Sequence, residues 1–196
     1  MGKPLEEMTL EELWRLFPIQ LSSYNPQYAQ WYLEKKREVE QSLLPVTAFS
    51  MHHIGSTAVP GLWAKPIVDM LMELPMEAPG EELVQKLVDS GWICMSASSS
   101  PWRRSLNWGY TPEGFAQKVF HLHIRRQGDH DELYFRDYLL AHPEIASAYE
   151  ALKRGLAEQY RFDRDAYTRQ KTAFVQRYTQ EGKREFAGRY EDRGKQ

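Results

Sequence analysis

The chain contains one cysteine, Cys94, among its 196 residues. A single cysteine excludes an internal disulfide framework and leaves no CxxC pair for a structural zinc site, so we expect a reducing compartment. No run of about 20 apolar residues is present to cross a membrane. The first residues, MGKPLEEMTLEEL, also lack the apolar stretch of a secretory signal. These absences predict a cytoplasmic protein without a membrane anchor.

The sequence also has little net charge and lacks several common catalytic motifs. A formal charge of -2 at pH 7 gives no global attraction to polyanions, so bulk nucleic-acid binding is not expected, and a phosphate would need a local cluster of charges. GxxxxGK, GxSxG and HExxH are absent, which excludes the common P-loop, hydrolase and zincin classes. By contrast, 42% of the residues are hydrophobic, enough for a buried core in one domain.

Amphipathic helices are predicted at both ends of the chain. Thr9 and Glu12 form a capping box before apolar residues, which predicts a short helix that ends at Pro18. Aromatic and aliphatic residues at helical spacing predict a second helix over residues 28–43, closed by Pro45. The remaining predicted helices cover residues 81–90, 131–142, 143–160 and 164–182.

Between these helices, β-branched and alternating residues predict a small sheet. The expected strands cover residues 46–54, 66–74, 92–95 and 118–125, with a serine-rich loop over residues 96–101 and a turn over residues 110–114. These elements predict an α/β domain with a helical C-terminal part.

The segment HIGSTAVPGLWAKPIVD, residues 53–69, is the most informative part of the sequence. A strand that ends in Gly55-Ser56 allows a tight turn, and the amides of the next helical turn can then face a phosphate, with Ser56 adding a hydroxyl. The alternative is an ordinary strand-to-helix turn capped by Ser56, which the dipeptide alone favours.

This segment resembles the characteristic stretch of the GrpB family, which reads as a strand, an IGST turn, a VPGL turn and AKP before a strand with one aspartate. The resemblance extends to HLH at residues 121–123 and to FRDYL at residues 135–139, and it covers residues 24–182. The activity of that family is largely unassigned. The resemblance implies the nucleotidyltransferase fold, a small mixed sheet flanked by helices, with a Gly-Ser turn that presents phosphate beside a metal-bound carboxylate.

The resemblance also implies a domain organisation. A GrpB-like domain of nucleotidyltransferase fold is expected over residues 21–182. A helical extension over residues 1–20 precedes it, and a polar tail over residues 183–196 follows it.

One position departs from the pattern of active nucleotidyltransferases, which carry two carboxylates one residue apart on the strand after the turn. Asp69 occupies the first position, but Leu71 stands two residues later. Glu73 shares the face of Asp69, yet four residues of strand separate their Cα atoms by about 13 Å. A two-metal mechanism of the usual kind is therefore in doubt.

His121 and His123 are candidates to complete a metal site with Asp69. Alternation on a strand points both imidazoles to one side, with Cα atoms about 6.6 Å apart. If that strand corresponds to the one that carries the third carboxylate in relatives, the three residues form a two-histidine, one-carboxylate set, which favours a transition metal over Mg²⁺. The alternative is that one histidine is a hydrogen-bonded residue of the sheet, and the identity of the divalent metal stays open.

Positive charge for phosphate binding is expected from Lys65, Arg103 and Arg104. For Arg136 an internal ion pair is favoured over catalysis. Two lysines of the later helices, Lys153 and Lys171, either line the cleft or lie solvated on their helices.

Two functions follow as expectations. The first is a metal-dependent, nucleotidyltransferase-like protein that binds a nucleotide or another phosphorylated small molecule, with Asp69 as the catalytic residue and phosphate held at Gly55 and Ser56. The second is a degenerate, non-catalytic module that binds a nucleotide or a metal, which Leu71 favours.

Overall fold

A mixed five-stranded sheet forms the centre of the computed structural model, which describes residues 3–95 and 103–191. The strands are β1 (Ser50–Ile54), β2 (Val68–Leu74), β3 (Ile93–Cys94), β4 (Arg104–Thr111) and β5 (Gly114–Arg126). Their order in the sheet is β1-β2-β5-β4-β3, and only the β2–β5 pair is parallel. This central pair sets Asp69 opposite His121 and Leu71 opposite His123.

Helices cover both faces of the sheet. They are α1 (Leu10–Leu16), α2 (Tyr28–Ser42), α3 (Gly80–Asp89), α4 (Asp131–Ala141), α5 (Pro143–Gln159) and α6 (Arg164–Glu185). On one face, α2 and α3 pack against Met70, Met72 and Leu122 of the central strands. On the other face, Leu71 packs against Leu133 of α4. The predicted fold class, a small mixed sheet flanked by helices with a helical C-terminal part, is confirmed.

Two helix starts have the caps that their sequences indicate. At α1, Thr9 Oγ1 accepts a hydrogen bond of 3.2 Å from the Glu12 amide, and the Glu12 carboxylate accepts one of 2.7 Å from the Thr9 amide. At α6, the Asp163 carboxylate accepts a bond of 2.8 Å from the Ala166 amide. These bonds satisfy amides that have no partner within the helix.

The strands differ from the prediction at several points. β1 begins at Ser50 rather than at residue 46, and β5 begins at Gly114, four residues before the predicted strand. β4 was not predicted. Its apolar residues Leu106, Trp108 and Tyr110 alternate with polar residues and glycine, which is the period of two that indicates a strand, and its pairing with β5 holds it in place. The predicted loop over residues 96–101 lies outside the described residues.

The C-terminal residues differ from the predicted polar tail over residues 183–196. α6 continues through Glu185, and Arg189 then donates a hydrogen bond of 2.7 Å to Asp137 Oδ2 on α4. The Tyr190 hydroxyl donates to the same oxygen. Arg136 forms the internal ion pair that was favoured for it, with Asp137 at 2.7 Å. The chain therefore packs on α4 up to Tyr190. No helix among the described residues has the length and apolar character to span a membrane.

Candidate functional site

One cavity of about 550 Å³ opens where β2 and β5 meet α5 and α6. Three of the side chains that line it, Asp69, His121 and His123, come from the paired central strands. The Gly55-Ser56 turn and Lys65 also line it, as do residues of α5 and α6. The structure thus brings six of the eight sequence-predicted site residues to one place.

Asp69 and the two histidines converge because β2 and β5 are parallel neighbours in register. His121 Nδ1 lies 3.0 Å from Asp69 Oδ1, and His123 Nε2 lies 3.6 Å from the same oxygen. One ligand atom from each side chain lies within 4.8 Å of the other two. The predicted convergence is confirmed, and this donor set fits a divalent cation.

The electrostatics of this cluster suit a cation. Burial raises the pKa of Asp69, but the hydrogen bonds from His121 and His123 outweigh it and hold the pKa below its ordinary value. Burial lowers the pKa of His121, although the Asp69 carboxylate opposes that effect. An ionised carboxylate beside a neutral imidazole is the protonation state that binds a metal ion.

The second ring nitrogen of His121 forms a hydrogen bond with the Tyr110 hydroxyl, a contact that sequence patterns did not indicate. Tyr110 Oη lies 2.8 Å from His121 Nε2, and Arg164 at the start of α6 donates a bond of 3.0 Å to the same oxygen. The Tyr110 ring packs 4.7 Å from Phe17, measured between ring centroids. An outer hydrogen bond of this kind fixes the orientation of a metal-binding imidazole. Tyr110 lies in unpredicted β4 and Arg164 lies 43 residues beyond His121, so no local motif joins them.

The Gly55-Ser56 turn lies directly against Asp69. Gly55 has φ +70°, and a Cβ atom there would lie 2.6 Å from Asp69 Oδ2. A short 3-10 turn, Ser56–Ala58, follows, and its first amides have no partner within the turn. Glycine is therefore required for both the backbone conformation and the close approach, and Ser56 faces the same cavity as Asp69.

Lys153 of α5 is 2% exposed and reaches the turn from the opposite wall. Its Nζ donates a hydrogen bond of 2.9 Å to Ser56 Oγ and another to the Trp63 carbonyl. Burial, together with the charge of Lys171, lowers the pKa of Lys153 to about 7. Of the two roles considered for Lys153, lining the cleft is the one observed.

Lys65 and Lys171 line the same cavity. Burial, with the charges of Arg164 and Lys171, lowers the pKa of Lys65 to about 7, and burial lowers the pKa of Lys171. Over residues 3–95 and 103–191, no carboxylate lies within 4 Å of the ammonium group of Lys65, Lys153 or Lys171. Without a paired carboxylate, Lys65 and Lys153 are only partly protonated near pH 7, and an anionic ligand beside them would favour their protonated form.

Arg103 and Arg104 do not line this cavity. The prediction that they supply positive charge for phosphate beside Asp69 is therefore wrong, because they lie elsewhere in the fold. Arg103 forms a bidentate ion pair with Asp129, in which Nε donates to Oδ2 at 2.8 Å and Nη2 donates to Oδ1 at 2.7 Å. Arg104 lies opposite Ile124 on β5 and pairs with Glu81 of α3 at 2.5 Å. The register of β4 directs Arg104 to the face covered by α3, away from Asp69.

Asp69 is the carboxylate of this cluster, because Leu71 on β2 packs in the core and Glu73 bonds elsewhere. Leu71 is fully buried against Ile54 and Leu133. Glu73 accepts a hydrogen bond of 2.9 Å from His130 Nδ1 at the far end of the strand. The pair of carboxylates expected of a two-metal site is not formed on this strand.

Comparison with known proteins gives consistent matches over most of the chain. The model of the family described as GrpB protein matches residues 18–181. The UPF0157 protein YqkA of Bacillus subtilis is 30% identical over 186 residues, which are 92% of this chain and 52% of that protein. The UPF0157 protein PA4798 of Pseudomonas aeruginosa is 34% identical over 160 residues, 81% of this chain and 65% of that protein. The chain thus spans between half and two thirds of the length of these two relatives.

A solved structure also matches. The crystal structure of the conserved protein GrpB from Enterococcus faecalis superposes with a TM-score of 0.73 at 28% identity, over 85% of this chain and 99% of that one. The fold described above is therefore shared with that protein.

Proposed function

The chain belongs to the GrpB family, and on that premise we propose that its cavity binds a nucleotide, or another phosphorylated small molecule, together with a divalent metal ion. One observation carries the proposal. The same cavity of about 550 Å³ holds the Asp69 carboxylate with two imidazoles. Its other walls hold three lysines that have no paired carboxylate. A phosphate with a bound metal ion matches both groups, because the metal ion suits the carboxylate and imidazoles and the phosphate suits the lysines.

The metal would be held by Asp69, His121 and His123. Two imidazoles and one carboxylate favour Mn²⁺, Co²⁺ or Zn²⁺ over Mg²⁺, which prefers oxygen ligands. When bound, such an ion polarises a phosphate and offsets part of its charge.

The remaining walls would hold the phosphate itself. Ser56 contributes its hydroxyl and the first amides of the turn, while Lys153 contributes the ammonium group that already contacts Ser56 Oγ. Lys65 and Lys171 add charge from two further directions. Preorganised donors of this kind also stabilise charge that develops on a phosphate during transfer.

The reaction we propose is transfer of a nucleotidyl group to an acceptor, with release of pyrophosphate. The fold class and the Gly-Ser turn beside an aspartate support it, since both are what the nucleotidyltransferase resemblance implies. A second function, binding without turnover, is favoured by the fully buried Leu71 at the place of a second carboxylate.

Release of pyrophosphate from each of the four nucleoside triphosphates separates the two functions, measured with Mn²⁺, Co²⁺, Zn²⁺ and Mg²⁺ in turn. The enzyme proposal expects release with at least one transition metal and loss of release in Asp69→Asn. Saturable nucleotide binding without release, in the presence of an acceptor panel, supports the binding module. Failure to bind any triphosphate with any of these metals contradicts both.

A further inference from the structure

A second cavity, of about 850 Å³, lies on the other side of His121. It is bounded by α1, by the edge formed by β3 and β4, and by the start of α6. Its walls are mostly apolar and include Leu5, Leu10, Leu13, Trp14 and Ile93. Neither the metal cluster nor the lysines explain this cavity.

The two cavities share a wall. His121 and Arg164 line both of them, and Tyr110, whose hydroxyl joins these two side chains, lines the second. A molecule in the second cavity would therefore lie next to a residue of the proposed metal site.

Large apolar side chains remain exposed around this second cavity. Leu10 is 55% exposed, Met95 54% and Ile93 38%. Exposure of apolar area costs about 25 cal/mol per Å² relative to burial, so exposed apolar side chains grouped around one cavity favour binding of another molecule there. An apolar ligand would remove this area from water.

Asn107 supplies the polar feature of this cavity. It lies opposite His121 in the β4–β5 register and is only 8% exposed. Its side-chain amide lines the cavity and has no hydrogen-bond partner within the part of the chain that the structure describes. An amide that has no protein partner and still reaches the cavity is available to exchange water for a hydroxyl group of a bound ligand.

We propose that this second cavity is a small-molecule site for an uncharged ligand with an apolar body and a hydroxyl group. The apolar walls bury the body, and the Asn107 amide binds the hydroxyl beside His121. Glu6, Glu113 and Asp165 at the rim outnumber the guanidinium of Arg164, so an anionic ligand is disfavoured. The site stands on its own geometry and does not require the proposed function.

Methyl NMR with 4-phenylbutan-1-ol as the probe tests the proposal. We expect saturable shifts of the Leu10, Leu13 and Ile93 methyl groups at millimolar probe, and at least fivefold weaker binding of 4-phenylbutyrate. Leu10→Glu should weaken binding of the alcohol at least tenfold, whereas Leu140→Glu, an equally drastic change at a 47% exposed leucine of α4, should leave it unchanged.

Asn107→Leu keeps the side-chain size and removes the amide, so it should weaken binding of the alcohol about fivefold. Absence of saturable shifts, indifference to both Leu10→Glu and Asn107→Leu, or equal binding of the carboxylate would overturn the proposal. Asp69→Asn should leave binding of the alcohol intact, so failure of the metal site and failure of this site can be told apart.

Discussion

Replacement of Lys153 by methionine should stabilise the unliganded protein while it removes phosphate binding. Lys153 is 2% exposed, and its pKa falls from 10.5 to about 7, mainly because burial disfavours the charged form. The folded protein therefore binds this proton less tightly than the unfolded chain does. Between about pH 7 and pH 10.5 the unfolded chain holds more protons, so stability rises with pH through that window.

The magnitude follows from the pKa. A fall from 10.5 to about 7 corresponds to about 4–5 kcal/mol of lost stability at and below neutral pH. Loss of the hydrogen bonds to Ser56 and the Trp63 carbonyl offsets about 1–2 kcal/mol of this in the variant. The free energy of unfolding of Lys153→Met should therefore exceed that of the wild type by about 2–4 kcal/mol at pH 7. This difference should shrink by about 2–3 kcal/mol by pH 9.5, as the lysine of the unfolded wild type loses its proton.

Urea unfolding of the wild type and of Lys153→Met at pH 7.0, 8.0, 9.0 and 9.5 measures this difference. The substitution also removes a charge that lowers the pKa of Lys65, but that charge is a minor cause beside the burial of Lys65. Lys36→Met on α2, whose lysine pairs with Glu40, is the matched control and should differ from the wild type by the same amount at every pH. A difference between Lys153→Met and the wild type that does not change with pH would refute the reasoning. Inorganic phosphate should stabilise the wild type and Lys36→Met, but not Lys153→Met.

Three further predictions concern the surroundings of the cluster. Gly55→Ala should destabilise by about 1–3 kcal/mol in urea unfolding, because a Cβ atom would lie 2.6 Å from Asp69 Oδ2 at φ +70°. Tyr110→Phe should weaken Mn²⁺ binding about 10–100-fold in calorimetry without unfolding the protein, since it removes the oxygen at His121 Nε2. Asp137→Ala should cost about 2–3 kcal/mol at pH 7. Burial raises the pKa of Asp137, but bonds from Tyr190, Arg189 and Arg136 outweigh it and lower the pKa, so this loss should shrink below about pH 4.

Strand alternation, together with the resemblance to the GrpB family, made the cluster of Asp69, His121 and His123 predictable from sequence. A period of two fixes the face of every strand residue. His121 and His123 could therefore be assigned to one face of their strand, and Asp69 to one face of its own, before the pairing of the strands was known. Alternation alone could not show that β2 and β5 are parallel neighbours, which their pairing in the sheet establishes and which sets Asp69 opposite His121. The capping box at Thr9 was also readable from sequence, because it depends only on residues three apart.

The lysines proposed to bind phosphate were harder to predict, because their positions depend on how helices dock. Lys153 has the sequence context of a solvated helical lysine, yet the packing of α5 carries it to Ser56, 97 residues earlier. Arg103 and Arg104 have the right chemistry for phosphate, but β4 itself was not predicted, so the face of each arginine was unknown. Nearby carboxylates, Asp129 and Glu81, then determine their partners.

Coupled binding of metal and nucleotide tests the central claim most directly. Isothermal titration of Mn²⁺ into the wild type, Asp69→Asn and Lys153→Met, each with and without ATP, measures whether the two ligands share the cavity. The account predicts that ATP tightens Mn²⁺ binding in the wild type, that Asp69→Asn loses Mn²⁺ binding while it stays folded, and that Lys153→Met binds Mn²⁺ but loses the effect of ATP. If the wild type binds no Mn²⁺, Co²⁺ or Zn²⁺ and Asp69→Asn simply unfolds at lower temperature, Asp69 is a structural residue and the account is contradicted.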